Sequence, residues 1–288
     1  MEQIWTIATL LSWTADYFAK KSISSARLDA ELLLADLLGH DRIYLYVNFD
    51  RPLLADELAG YKERVKRRAA NEPLAYILGR REFYKLDFTV TPAVLIPRPE
   101  TEILVASAIE QAKVADSKRA LDLGTGSGAI AVSLLVNLPE LIMKASDLST
   151  AALEIARANA EKHSVAVRTE FVVSDWFTNI ASERFDIIVS NPPYIELSSL
   201  GKLQPELGYE PQSALYADAD GLCCYRTILA RAYEYLAVNG KLFLEVGFNQ
   251  AEAVAKIAKS ANKYGSVEFV KDYSGIDRVV VISANGPS

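Results

Sequence analysis

From Arg119 onward short apolar runs alternate with stretches of helical periodicity, while roughly the first 75 residues carry helical periodicity alone. These two observations predict an α/β fold, a mostly parallel sheet with helices on both faces, preceded by a small all-α domain. A third marks the join: between Arg81 and Val90 the apolar period becomes two, with Tyr84, Leu86, Phe88 and Val90 alternating against mostly polar neighbours. The expected organisation is a helical domain over residues 1–77, a hairpin linker over 78–98 and an α/β domain over 99–288. A length of 288 residues exceeds the roughly 100–200 of one ordinary domain, which agrees with a division into unequal parts.

In the helical segment Ile4, Ile7, Ala8, Leu11, Ala15 and Phe18 share one helical face. A second helix should follow Ser24 and Ser25, with Leu28, Leu32, Leu33 and Leu37 inward and Gly39 as its stop. A third is expected from Ala55 to Ala70, with Leu58, Tyr61 and Val65 inward and Lys62, Arg64, Lys66, Arg67 and Arg68 on a solvated or partner-facing side. In LIPRPETE, Pro97 and Pro99 fix an extended entry, and Glu100 and Glu102 occupy the first turn of a helix. The runs RALDL, LIMKASD, TEFVVSD, FDIIVS and KLFLEV then read as strands, with helices at Ala129 to Leu138, Ala151 to Ala160 and near Gly221 to Leu236. Strands around Val267 to Asp272 and Arg278 to Ser283 are separated only by Tyr273 to Asp277, too short a gap for a helical crossover, so they should pair antiparallel.

Half the residues are hydrophobic and 24% charged, the balance of a folded globular chain. A net charge of −6 argues against gripping a nucleic-acid backbone, and no nucleic-acid substrate is expected. No apolar run reaches the roughly 18 residues needed to span a bilayer, and the N-terminal segment lacks the features of a secretory leader. A cytoplasmic monomer without membrane attachment is the expectation. Cys223 and Cys224 are adjacent, a spacing that suits neither a disulfide nor a metal site, so they should be reduced and structural, and no metal is expected.

The chemistry-bearing residues cluster at strand ends. In LDLGTGSGAI, Gly124, Gly126 and Gly128 lie between a strand and a helix, where backbone can approach a ligand and free N–H groups face it. The pattern fits a nicotinamide dinucleotide and a methionine-derived nucleoside equally well. Asp147 ends the second strand, where a carboxylate can accept both ribose hydroxyls. Asp175 and Trp176 end the third, where a carboxylate can receive an adenine amino group and a ring can lie against the base. Asp122 can hold either the loop or a charged amino group. After the fourth strand comes Ser190-Asn191-Pro192-Pro193-Tyr194. Its two prolines remove N–H donors and stiffen the loop, leaving the Asn191 side-chain oxygen and the Pro192 carbonyl to accept the hydrogens of a planar NH2 group over which Tyr194 can pack.

At these residues the chain resembles the amino methyltransferases that act on adenine N6, cytosine N4 or a glutamine amide. Within them it resembles the release factor glutamine methyltransferases along nearly its whole length, through ARLDAELLL at Ala26 to Leu34, PLAYILG at Pro73 to Gly79, LIPRPETE at Leu95 to Glu102, YEPQSALYADADGL at Tyr209 to Leu222 and DRVVV at Asp277 to Val281. The resemblance implies a Rossmann-like class I methyltransferase, with a seven-stranded sheet ending in an antiparallel strand, behind a substrate-recognising helical domain. It further implies S-adenosyl-L-methionine as cofactor, contacted by Gly124, Thr125, Gly126, Ser127, Gly128, Asp147, Asp175, Trp176 and Asn191. The substrate would be the Gly-Gly-Gln glutamine of class-1 peptide chain release factors, held by Asn191, Pro192, Pro193 and Tyr194, of which Asn191, Pro192 and Tyr194 are the expected catalytic residues. Competing readings are a ribosomal-protein glutamine methyltransferase, an adenine-N6 nucleic-acid methyltransferase, a nicotinamide dehydrogenase, which leaves the Asn-Pro-Pro-Tyr loop unexplained, and a binding module without catalysis.

Overall fold

The computed structural model describes residues 4–199, 204–218 and 220–285. The extreme ends of the expected domains, and Ala219 within the Tyr209 to Leu222 stretch, lie outside the described residues. The chain divides into two compact units, Met1–Gly79 with Gln204–Tyr209, and Arg80–Leu203 with Glu210–Ser288.

The first unit contains α1 (Ile7–Lys20), α2 (Ala26–Leu38), α3 (Arg42–Val47), α4 (Ala55–Ala69) and α5 (Leu74–Leu78). The Thr6 side chain caps α1 by accepting from the Thr9 N–H, and Gly39 ends α2 in the left-handed conformation that glycine adopts without strain. Ile7, Leu11 and Phe18 are buried as the periodicity predicts, but Ile4 precedes the helix and is exposed, while Leu10 and Thr14 complete the inward face. The second helix is rotated from its expected setting. Leu28 is exposed and Leu32 and Leu37 are half-buried, whereas Asp29, Ala30, Glu31 and Leu34 join Leu33 inside. The acids can turn inward because each meets cations: Arg68 Nε stands 2.7 Å from Asp29, and Arg27 and Arg42 each reach within 2.6 Å of Glu31, which also accepts from the Tyr46 hydroxyl. A charge leaves water at tolerable cost only when paired. Arg68 is therefore buried and not part of a solvated basic face, unlike Lys62, Lys66 and Arg67. Tyr61 and Val65 are buried and Leu58 is half-buried.

The second unit opens with an antiparallel hairpin, β1 (Arg80–Phe83) and β2 (Leu86–Thr89). Its two-residue turn places Tyr84 and Lys85 at positive φ, the twist that suits a tight hairpin. Then follow α6 (Thr101–Ala115), β3 (Arg119–Leu123), α7 (Ala129–Asn137), β4 (Ile142–Asp147), α8 (Thr150–Lys162), β5 (Thr169–Val173), β6 (Phe185–Ser190), α9 (Gln212–Leu215), α10 (Cys223–Tyr235), β7 (Leu236–Glu245), α11 (Ala251–Ser260), β8 (Tyr264–Lys271) and β9 (Asp277–Ala284). The 7-stranded sheet has the order β5-β4-β3-β6-β7-β9-β8. It is parallel from β5 to β7, and β9 is antiparallel to both its neighbours. Successive side chains alternate across it. Ile187, Val189 and Phe243 pack on one face with Leu104 and Val105 of α6 and Leu134 of α7, while Ile188, Leu242 and Leu244 pack on the other with Tyr225 and Ile228 of α10 and Val254 of α11. Among the described residues no helix is long and apolar enough to cross a membrane.

This strand order fixes where a ligand can enter. From β3 the chain proceeds outward through β4 and β5, then returns to the other side of β3 for β6 and β7. The reversal leaves a crevice beyond the carboxyl ends of β3 and β6. Leu123 is in register with Ser190, and the Ser190 hydroxyl donates to the Leu123 carbonyl at 2.7 Å, so the loops that begin at Gly124 and Asn191 leave the sheet side by side.

Candidate active site

The glycine loop is pinned at its base by the Gly124 and Thr125 N–H groups, which both donate to the Ser146 carbonyl at 2.9 Å. Its glycines serve different ends. At Gly126, with φ +55°, a Cβ would project into open space, so the backbone faces the cleft bare. At Gly128 a Cβ would stand 3.2 Å from Ala156 on α8, so this glycine sets the approach of α7 to α8. Asp122 lies fully buried under the loop, accepting from the Thr125 hydroxyl at 2.7 Å, and burial pushes its carboxyl up to about 7. It holds the loop.

At the end of β4, one oxygen of Asp147 accepts from the Gly126 N–H and the other from the Ser149 N–H, both at 2.9 Å. Each carboxylate oxygen keeps a further lone pair for a ligand. Trp176 sits at φ +48°, a strained setting for a bulky residue, and its ring comes within 3.9 Å of the Cβ position of Gly124. The Ser174 hydroxyl donates to its carbonyl at 2.8 Å and keeps the turn.

The Asn191 side-chain nitrogen donates to the Thr101 hydroxyl oxygen at 3.1 Å. The Tyr194 carbonyl accepts from Gln250 at 3.1 Å, and Gln250 in turn accepts from the Gly247 N–H at 3.0 Å. A Cβ at Gly247 would meet the Tyr194 ring at 2.9 Å, so only glycine lets the ring lie there. Burial pushes the Tyr194 hydroxyl up to about 12, which keeps it neutral.

A cleft of about 370 Å³ joins these parts, within the ordinary range for small-molecule sites. Gly124, Gly126, Asp147, Asp175, Trp176, Asn191 and Pro193 line it. Thr125, Ser127 and Pro192 are buried, and these residues, Gly128 and Tyr194 do not form its wall. The far wall comes from residues around Val94, from Pro211 to Ala217, and from Cys223 and Cys224. These free thiols stand 3.7 Å apart. Glu210 ties two wall segments together, accepting from Arg98 at 2.6 Å and from the Ile96 N–H at 3.1 Å. Thr101, Glu245 and Gln250 brace the site without a sequence pattern that singles them out. One signal was available for Glu245: it is an acid inside the otherwise apolar run Leu242 to Val246.

Comparison with known proteins gives two family matches in this chain, "PrmC N-terminal domain" over residues 9–79 and "Methyltransferase small domain" over residues 100–202. A release factor glutamine methyltransferase of Geobacter sulfurreducens is 46% identical over 279 residues, covering 96% of this chain and 96% of that protein. The chain belongs to the release factor glutamine methyltransferase family. It is a methyltransferase. A protein named bifunctional methyltransferase from Rickettsia felis is 38% identical over 307 residues, which cover 97% of this chain but 58% of that longer protein. Among solved structures, a methyltransferase from Pyrococcus furiosus shares the fold at 21% identity with a TM-score of 0.51, over 78% of this chain and all of that one.

Proposed function

We propose that this chain transfers a methyl group from S-adenosylmethionine to the side-chain amide nitrogen of the glutamine in the Gly-Gly-Gln motif of class-1 release factors, in the cytoplasm and as a monomer. In this reading residues 1–77 grip the release factor, residues 78–98 link, and residues 99–288 carry the chemistry. One observation carries it: Asn191 opens an Asn-Pro-Pro-Tyr loop on the wall of the cleft, with its nitrogen donating to Thr101 and its oxygen left to accept.

The cleft fits the cofactor. Gly126 presents bare backbone, Asp147 offers lone pairs suited to ribose hydroxyls, and Asp175 and Trp176 supply an acceptor and a ring for the adenine. Thr125, Ser127 and Gly128 act from behind by shaping the loop. When bound, S-adenosylmethionine supplies an activated methyl group on a sulfonium. The remaining task of the protein is placement. An amide nitrogen is a weak nucleophile because its lone pair is delocalised into the carbonyl. In this reading Asn191, on the cleft wall, accepts one of its hydrogens. Of the two groups beside that wall, the Pro192 carbonyl accepts the other hydrogen and the Tyr194 ring packs over its plane, and Pro193 stiffens the loop between them. Those acceptors favour a pyramidal nitrogen as positive charge develops there, and the proton leaves to solvent after transfer.

The test is mass spectrometry of a purified class-1 release factor incubated with the protein and S-adenosylmethionine. A gain of one methyl group on the Gly-Gly-Gln glutamine, slowed roughly 10²-fold or more by Asn191→Ala, is expected. Methylation of a ribosomal protein or of adenine, with the release factor untouched, would overturn the substrate assignment.

A further inference from the structure

The side-chain amide of asparagine has nearly the same shape either way round, yet only one setting suits a methyl acceptor. With its oxygen toward the cleft, Asn191 accepts from an NH2 group. With its nitrogen there, two donors face each other and the acceptor is lost. We propose that Thr101 and Glu245 form a bracket behind the cleft that fixes the Asn191 amide with its oxygen outward, making them positioning residues for the methyl-accepting amide. The inference rests on the functional reading above.

The placement follows from the sheet. Ser190 and Leu244 are in register on β6 and β7, so Asn191 and Glu245 leave adjacent strands at the same level. Thr101, the first residue of α6, is buried beside them, and its hydroxyl oxygen accepts from the Asn191 nitrogen. Having accepted there, that hydroxyl still has its hydrogen to donate. The Glu245 carboxyl is 2% exposed and faces Thr101 and Asn191, and its Oε2 has no hydrogen-bond partner among the described residues, so it stands as a free acceptor behind them. Tyr225 does not compete, because its hydroxyl donates to the Glu245 backbone carbonyl at 2.9 Å. An ionised carboxylate can only accept. It therefore sets the direction of the chain, Asn191 N–H to Thr101 and Thr101 O–H to Glu245, and no flip of Asn191 satisfies both partners.

The same logic makes the bracket sensitive to protonation. The groups facing the carboxyl are Glu100 and Thr101 at the start of α6, Asn191 and Tyr194 after β6, Tyr225 of α10 and Arg278 of β9. Burial first, then Glu100, raise the carboxyl to about 7, against the neighbouring Thr101 and Asn191 donors and the charge of Arg278. Once protonated, Glu245 can donate to Thr101 and the chain loses its fixed direction.

Steady-state methylation of release factor tests this, with wild type run alongside to verify the underlying activity. Thr101→Val and Glu245→Gln should lower kcat about 10- to 100-fold, the scale of a small misplacement of reacting groups, with the KM for S-adenosylmethionine unchanged. Thr101→Ser should restore kcat. Wild-type kcat should fall as pH drops through about 7, a limb that Glu245→Gln lacks. Wild-type kcat in Thr101→Val, or a loss that serine does not recover, would overturn the bracket, and this pair decides the matter if Glu245→Gln does not fold. A readout independent of activity is solvent exchange of the Asn191 side-chain amide protons by NMR, assigned through Asn191→Ala. Slow exchange in wild type and fast exchange in Thr101→Val supports the bracket even if release factor proves not to be the substrate; equal rates refute it.

Discussion

Asp147 both builds the site and is expected to bind in it. Its oxygens hold the Gly126 and Ser149 N–H groups, which fixes the carboxylate at the mouth of the glycine loop before any ligand arrives. Hydrogen bonds to a charged acceptor contribute roughly 1.5–3 kcal/mol each. Asp147→Ala should therefore weaken S-adenosylmethionine binding by roughly 10- to 100-fold, read by calorimetric titration. An unchanged affinity would remove Asp147 from the binding role. At this scale the sequence was most informative where a residue acts through its own backbone conformation or sits beside a strand end, as Gly126, Asp147 and Asn191 do. It was silent on Thr101 and Gln250, whose partners Asn191 and Tyr194 lie 90 and 56 positions away along the chain. Only the sheet brings them together.

Between elements, the glycine loop separates binding from packing. Gly126 and Gly128 both have positive φ, where an alanine costs roughly 1–2 kcal/mol in backbone strain. Only at Gly128 would the added methyl also press on Ala156, at 3.2 Å, on the helix that packs there. Gly128→Ala should thus lower the denaturation midpoint more than Gly126→Ala, whereas Gly126→Ala should show the larger loss of S-adenosylmethionine affinity. The same balance of charge and packing explains α2. Apolar spacing alone put Leu28 inside, but Asp29 and Glu31 have cationic partners on α4 and α3, and satisfying them rotates the helix. Asp29→Ala, which leaves Arg68 buried without its closest acid, should destabilise the protein by about 3 kcal/mol in chemical denaturation. A change within 0.5 kcal/mol, the ordinary range for surface sites, would mean that Glu206 suffices for Arg68.

At the scale of the molecule, short apolar runs alternating with helical stretches were enough to expect a parallel sheet, because strands buried on both faces read as continuous apolar runs, and the short gap from Tyr273 to Asp277 was enough to expect the antiparallel end. What it could not convey was that Gln204–Tyr209 clusters with the N-terminal helices, where Glu206 meets Arg68 and the Tyr209 hydroxyl donates to the Ala70 carbonyl. That placement depends on contacts 138 and 139 positions apart. A global consequence of the buried site is its response to pH. Asp122 and Glu245 are both raised to about 7 by burial, from ordinary values of 3.8 and 4.5. Between those limits the folded chain holds protons that the unfolded chain has released, so each acid contributes stability that is fully present below its unfolded value and is lost as pH rises through about 7. Other carboxylates act oppositely: Asp272 and Glu31 are held below their ordinary values and favour the folded state as pH rises, but their window lies below about 4.5. From about pH 5 to 8 the buried pair should therefore dominate, and the urea midpoint of the ligand-free protein should fall across that range. Asp122→Asn, which keeps an acceptor for the Thr125 hydroxyl but cannot ionise, should flatten the fall, and adding Glu245→Gln should flatten it further. A midpoint that rises from pH 5 to 8 in wild type, or falls equally in the double variant, would show that the folded chain does not hold these two acids protonated above their ordinary values.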